Sequence, residues 1–151
     1  MTVIVGIDPD MRKSGVCMLD STGRIMTLDS LTIVDLMAFI EWNKDAVYAI
    51  EDVTKNKAIY GRNLKEYEKV AKAQSVGMVK ASATLIGEVI TEMTGRAPIL
   101  APCGLGKQVK HNADMFKALT GYEKQTNEDK RDAWAIAYWV FKNKERLVKP
   151  L

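Results

Sequence analysis

Two short apolar runs, each ended by a carboxylate, constrain this chain more than any other feature. Thr2-Val-Ile-Val-Gly-Ile-Asp8 and Ala46-Val-Tyr-Ala-Ile-Glu51 are apolar almost throughout. Neither alternates apolar with polar residues, as a strand with one wet face would, and both are shorter than an ordinary helix. Each therefore reads as a strand covered on both sides, the pattern of a sheet centre flanked by helices. Set side by side and parallel, the two strands bring Asp8 and Glu51 together at their C-terminal ends, where open α/β sheets keep their sites.

The rest of the chain fits around that pair. Gly15 to Asp20 and Arg24 to Ser30 read as a hairpin about Ser21-Thr-Gly23. Thr32 caps a short helix over Ile33 to Trp42. A basic, polar loop runs from Lys55 to Arg62, and a long helical pattern from about Leu64 to Thr94 stops at Gly95. Ala97 to Pro102 is a fifth strand. Gly104-Leu-Gly106 leads to a basic helix around Lys107 to Leu119, and a last helix covers roughly Glu128 to Glu145. The order β-β-β-α-β-α-β-α-α predicts an α/β fold, a five-stranded mixed sheet with helices on both faces. Without an internal repeat or a linker, residues 1–151 read as one domain.

The last helix carries Asp129 and Asp132, three residues apart and hence on one face. Carboxylates from two strand ends and one helix face can converge. Hard oxygen ligands without His or Cys suit Mg²⁺ or Mn²⁺. Each acid also has a plainer reading. Asp8 before Pro9 ends a strand, Glu51 pairs with Lys55, Asp129 caps its helix, and Asp132 favours the helix dipole. It is their coincidence that points to a metal site. His111, the one histidine, lies on a polar helix and reads as a surface residue. Cys17 and Cys103 have no CxxC spacing, so they make neither a zinc site nor a disulfide framework, and a reduced cytoplasmic compartment is expected. No apolar run approaches the roughly 20 residues of a membrane span, and no basic segment precedes the first apolar run, so neither a membrane partner nor a signal peptide is expected.

Net charge is +3 but uneven. Residues 1–50 carry 4 basic and 7 acidic side chains, whereas residues 107–151 carry 10 and 6. The basic stretches contain or follow the carboxylates. That suits a polyanion held beside a metal site, although solvated helix faces give the same count.

Four motifs then occur in order: Gly6-Ile-Asp-Pro9 through Ser14-Gly15, Ala49-Ile-Glu51, Ala73-Gln-x-x-Gly77, and Asp129-x-x-Asp-Ala133 with Ala135-Ile-Ala137. Together they resemble the RuvC family of Holliday junction resolvases, within the RNase H-like superfamily. The resemblance implies an RNase H-like fold and an Mg²⁺-dependent endonuclease acting as a homodimer on four-way DNA junctions. Asp8, Glu51, Asp129 and Asp132 fall on the four acidic positions, with two Mg²⁺ ions (Mn²⁺ as substitute) as the implied cofactors. Lys107 is the best match to a basic residue of the family and Lys110 the next. There are departures. Asp10 stands where the family often has Gly, and Asp52, Val53 and Thr54 stand where bacterial members often place an aromatic. Both would suit a divergent, phage-type member.

Further expectations concern partners. Lys55, Lys57, Tyr60 and Arg62, with Lys107 and Lys110, are the expected DNA contacts, Tyr60 by stacking on an unpaired base. The long helix around Gly77 to Ile90, including Ala81, Ala83 and Ile86, is the expected dimer seam. Trp134, Tyr138 and Phe141 follow helical spacing and read as core. Rival readings are a broader branched or flap DNA nuclease of the same fold, a nucleic-acid binding module without turnover, and an actin/sugar-kinase ATPase. The last also opens on Gly-Ile-Asp, but one short domain lacks its second phosphate loop.

Overall fold

The sheet grows outward from the two apolar strands. A computed structural model describes residues 2–55 and 66–148. β1 (Ile4–Asp8), β2 (Ser14–Leu19) and β3 (Ile25–Leu31) form an antiparallel meander. α1 (Ile33–Trp42) then returns the chain so that β4 (Val47–Glu51) lies parallel to β1 on its other side. A 3₁₀ turn over Val53–Lys55, α2 (Glu66–Thr94) and β5 (Ile99–Ala101) follow, β5 lying parallel to β4. The strand order is β3-β2-β1-β4-β5, so the expected five-stranded mixed sheet is present with β1 at its centre. Ile7 stands beside Ile50, and the next residue of each strand is Asp8 and Glu51.

Strand alternation sends successive side chains to opposite faces, and each face has its own core. On one, Ile4, Cys17, Leu19 and Ala49 pack against α5 (Glu128–Lys142), with Val109 of α3 (Lys107–Lys110) and Phe116 of α4 (Ala113–Thr120). On the other, Val5, Ile7, Val16, Tyr48 and Ile50 pack against Leu36 and Ile40 of α1 and Ile86 and Ile90 of α2. Helices therefore cover both faces, as the apolar runs require. Trp134 is buried, and its ring stacks on Tyr138, which in turn stacks on Phe141, so this stripe is core as expected.

Two glycines let α5 lie unusually close. A Cβ on Gly6 would overlap the Ala133 carbonyl and stand 2.6 Å from the Ala137 amide nitrogen. A Cβ on Gly15 would overlap the Asp129 carbonyl. The helix opposes Gly6 with Ala133 and Ala137 and Gly15 with the Asp129 backbone, so backbone meets backbone. This contact carries the first turn of α5, and Asp129 and Asp132 with it, onto the end of β1.

Local chemistry sets the element ends. Thr32 Oγ1 accepts from the Asp35 N–H at 3.2 Å, the expected cap of α1. Gly95 closes α2 at φ +76°, a conformation costly for other residues. The expected helix from Lys107 to Leu119 is in fact two, α3 and α4. Asn112 Oδ1 accepts from the Met115 N–H at 3.0 Å and starts a second helix where unbroken helical spacing had been read. The last helix likewise ends at Asn143, and a short α6 (Lys144–Leu147) follows.

The dimer-seam expectation needs correction. Ala83, Ile86 and Ile90 are 3%, 3% and 1% exposed, and Ile86 and Ile90 pack on this chain's own sheet. The outer face of α2 presents Gly77, Met78, Ala81 and Leu85. Lys57, Tyr60 and Arg62 lie outside the described residues, as does the Lys55 side chain. No described helix is long and apolar enough to cross a membrane.

Candidate active site

The four acids arrive from three elements. Asp8 and Glu51 end the adjacent parallel strands, and Glu51 Oε1 accepts from the Gly104 N–H at 3.3 Å. Asp129 and Asp132 stand on the first turns of α5. That helix is capped by Asn127, whose Oδ1 accepts from the Lys130 N–H at 2.8 Å. The cap is therefore not Asp129, which leaves its carboxylate to the site. All four acids line one cleft of ≈ 610 Å³, together with Lys107 and Lys110. A larger cleft of ≈ 780 Å³ lies between α2 and β5, but Glu51 is the one member of the acidic group that it shares. All four acids are gathered in the smaller one.

Electrostatics mark the smaller cleft as short of positive charge. Asp8 is pushed up to about 8, first by burial and then by the charges of Asp132, Asp129 and Glu51, with Lys110 opposing. Asp132 also lies above the usual carboxylate range. Burial is again the main cause, and the nearby Lys110 offsets it only in part. The Lys110 ammonium sits 3.1 Å from Asp132 Oδ2. Burial alone would lower Lys110, but the Asp132 hydrogen bond and the charges of Asp132, Asp8 and Glu128 outweigh it, so the net shift is upward.

The basic residues thus separate by geometry. Lys110 is half-buried and paired with an acid of the cluster. Lys107 is exposed at the start of α3, its Cε packed near Gly104. His111 is a surface residue, as read, with Nδ1 2.8 Å from Glu128 Oε1. Asp10 lines the cleft, but its carboxylate accepts from the Arg12 N–H at 2.9 Å, the bond of a local turn. Asp52 Oδ1 accepts from Thr54 in the same manner.

Sequence reasoning missed Arg131. It is 7% exposed, a buried charge between the two acids of α5. Its Nε and Nη2 donate to the Lys110 carbonyl at 2.9 and 2.7 Å, and its Nη1 to Thr126 Oγ1 at 2.8 Å. The sequence gives no local hint, since Lys130 and Arg131 stand side by side in that turn and nothing there says which of them is buried.

The donor set fits hard divalent cations. Among the described residues no three acidic, His or Cys side chains are gathered into a coordination sphere. The four carboxylates face a shared cleft instead. Mg²⁺ does not need a closed protein cage, since it keeps several waters and takes one or two carboxylates plus substrate phosphate oxygens. The burial and crowding of negative charge that push Asp8 upward are what such a cation would offset.

No protein-family model and no curated protein matches the sequence. Solved structures do. Thermus thermophilus RuvC in complex with a Holliday junction substrate is similar over 99% of this chain and 100% of its own, with a TM-score of 0.63 and 16% identity. A second Thermus thermophilus RuvC structure gives the same coverage, a TM-score of 0.58 and 18% identity. At such identity the likeness is one of fold: the chain has the RuvC-type, RNase H-like fold expected from its motifs.

Proposed function

We propose that this chain is an Mg²⁺-dependent, structure-selective DNA endonuclease that resolves four-way junctions by paired, symmetric nicks. One observation carries the reading: four carboxylates from β1, β4 and α5 line a single cleft beside Lys110. Support comes from the fold, which is shared with a protein solved on a Holliday junction.

When bound, two Mg²⁺ ions would activate a water and stabilise the leaving 3′ oxygen in an in-line displacement. Asp8, on the rigid central strand, would contribute to holding them. Glu51 would hold one, and Asp129 and Asp132 the other. The Gly104 N–H fixes the Glu51 carboxylate, so its free oxygen keeps one orientation. Lys110 would hold the scissile phosphate, with Lys107 further out along the same strand of DNA. The loop carrying Lys55, Lys57, Tyr60 and Arg62 follows the Glu51 strand and would meet the branch point. One chain offers one cluster and one cut, so resolution takes a C2 homodimer matched to the junction's pseudo-two-fold. The outer face of α2 is the surface for it. Action on DNA within the cytoplasm completes the reading.

The test is cleavage of four-way, three-way, flap and linear duplex DNA in Mg²⁺, with Asp8→Asn as control. Paired nicks in the four-way junction, absent with Asp8→Asn, are expected. Equal cutting of flaps and junctions would make this a general branched-DNA nuclease. Tight, metal-independent binding without any cutting would make it a binding module.

A further inference from the structure

Lys110 is held at both of its ends by one helix. Its ammonium pairs with Asp132 of α5 at 3.1 Å, and its carbonyl takes two hydrogen bonds from Arg131 of the same helix. The next residue adds a third link, His111 to Glu128 at 2.8 Å. The elbow between α3 and α4 is thereby stitched to the first turns of α5, the turns that carry Asp129 and Asp132.

We infer that Arg131 is a positioning residue, whose guanidinium locks the Lys110 backbone onto α5 so that the Lys110 ammonium is kept beside Asp132 in the acidic cleft. Three observations support this. First, α3 has four residues, too few to hold its own end in place, and Lys110 is its last. Second, Arg131 is buried, yet its hydrogen bonds go to a carbonyl and a hydroxyl rather than to a carboxylate. Burying a cation is costly, and simple packing at that point would be served better by an apolar side chain. Third, both Nε and Nη2 meet one oxygen, a planar fork that lysine cannot reproduce. A lysine side chain has many rotamers. With its backbone pinned, fewer of those rotamers carry the ammonium away from Asp132, 3.1 Å from it here.

The inference rests on the proposed nuclease reading only for its consequence in catalysis, so the test has two arms. In the first, the folded, metal-free protein is treated with an amine-acylating reagent and each lysine followed by mass spectrometry. Lys110 should react several-fold more slowly than Lys107. Arg131→Met should raise the Lys110 rate about two- to fivefold, as expected when a partly exposed ion pair loses its fixed geometry. Arg131→Lys keeps the charge without the fork and should fall between; it also serves if Arg131→Met does not fold. Unchanged Lys110 reactivity in a folded variant would overturn the inference. The second arm is a double-mutant cycle on junction cleavage. Arg131→Met should slow single-turnover cutting by about 10- to 100-fold, the scale of a misplaced catalytic group. In a Lys110→Ala background it should add nothing, because its effect passes through Lys110. Additive losses would assign Arg131 a merely structural role. If the wild type cuts no DNA, the nuclease reading fails, while the acylation arm still decides what Arg131 does.

Discussion

The two faces of the sheet are built on different terms. Against α5 the closest contacts are backbone on backbone: Gly6, Gly15, Ala133 and Ala137 bring the helix onto the strands, and larger side chains such as Ile4, Leu19 and Trp134 pack around them. Against α1 and α2 they are large: Val5, Ile7, Val16 and Ile50 meet Leu36, Ile40, Ile86 and Ile90. Large side chains can reach several near-equivalent packings, so that face tolerates change of equal volume. Backbone contact admits one spacing. The acids that must stand in register, Asp129 and Asp132, ride on the helix of the small-residue face. The helix on the other face leaves Met78 and Leu85, each 52% exposed, pointing outward. One face fixes geometry and the other provides bulk and an outer surface.

The comparison can be broken in several places. The largest effect should come at the rim of the tight face. Asp8→Asn should lower junction cleavage on the order of 10³-fold or more, since several kcal/mol of charge stabilisation are lost, and leave junction binding intact in a gel-shift assay. Near-normal cutting would mean that α5 is not holding a metal site against β1.

The next effect is on the protein without metal. Asp8 titrates at about 8 when folded, against an ordinary value of 3.8. The folded state thus binds this proton more tightly than the unfolded chain. That contribution is fully present below about pH 4 and is lost as pH rises towards 8, a loss of a few kcal/mol. Chemical denaturation in EDTA should show stability falling across that window. Mg²⁺ should reduce the slope by taking the proton's place, and Asp8→Asn should flatten it. A flat profile for the wild type would show that the tight face does not bury Asp8 among the other acids.

The faces of α2 supply a third comparison. Ile86→Ala should cost about 2–5 kcal/mol of stability, as buried aliphatic truncations do. Leu85→Ala, one residue on, should stay within about 0.5 kcal/mol. Leu85→Glu should nevertheless weaken dimerisation as measured by light scattering, because an unpaired charge at a seam is unfavourable. If the dimer is indifferent to Leu85→Glu, the seam is not this face. A last comparison sets Gly15→Ala against Met18→Leu, on opposite faces of β2. The first should destabilise by about 1–3 kcal/mol through overpacking and also slow cleavage, because it displaces Asp129. The second conserves volume on the tolerant face and should do neither.

Much of this was legible in the sequence. The runs ending at Asp8 and Glu51 gave a parallel pair because their lack of alternation leaves no wet face. Thr32 and Gly95 marked helix ends through chemistry that is local to a few residues. What was not legible depended on choices between equivalent local signals. Ile86 and Leu85 are both apolar, and periodicity cannot tell a chain's own sheet from a partner. Asn112 can sit inside a helix or start one, and only tertiary packing of Val109 and Phe116 decides. Lys107 and Lys110 are alike as residues. Their difference lies in Asp132 and Arg131, which reach Lys110 from 21 positions or so along the chain.

The strand order carries a consequence for the timing of synthesis. β1, β2 and β3 are consecutive neighbours, so the meander can close soon after it leaves the ribosome. β4 must find β1 across an intervening helix, and α5 comes later still. Contacts between distant segments form slowly, because a loop must close before they give any return. Asp8 is among the first residues made, yet it meets Asp129 and Asp132 only after α5 has emerged and docked on Gly6 and Gly15. A nascent chain would hold half of its acids, and the four-carboxylate cleft would be assembled only once its last large helix is in place.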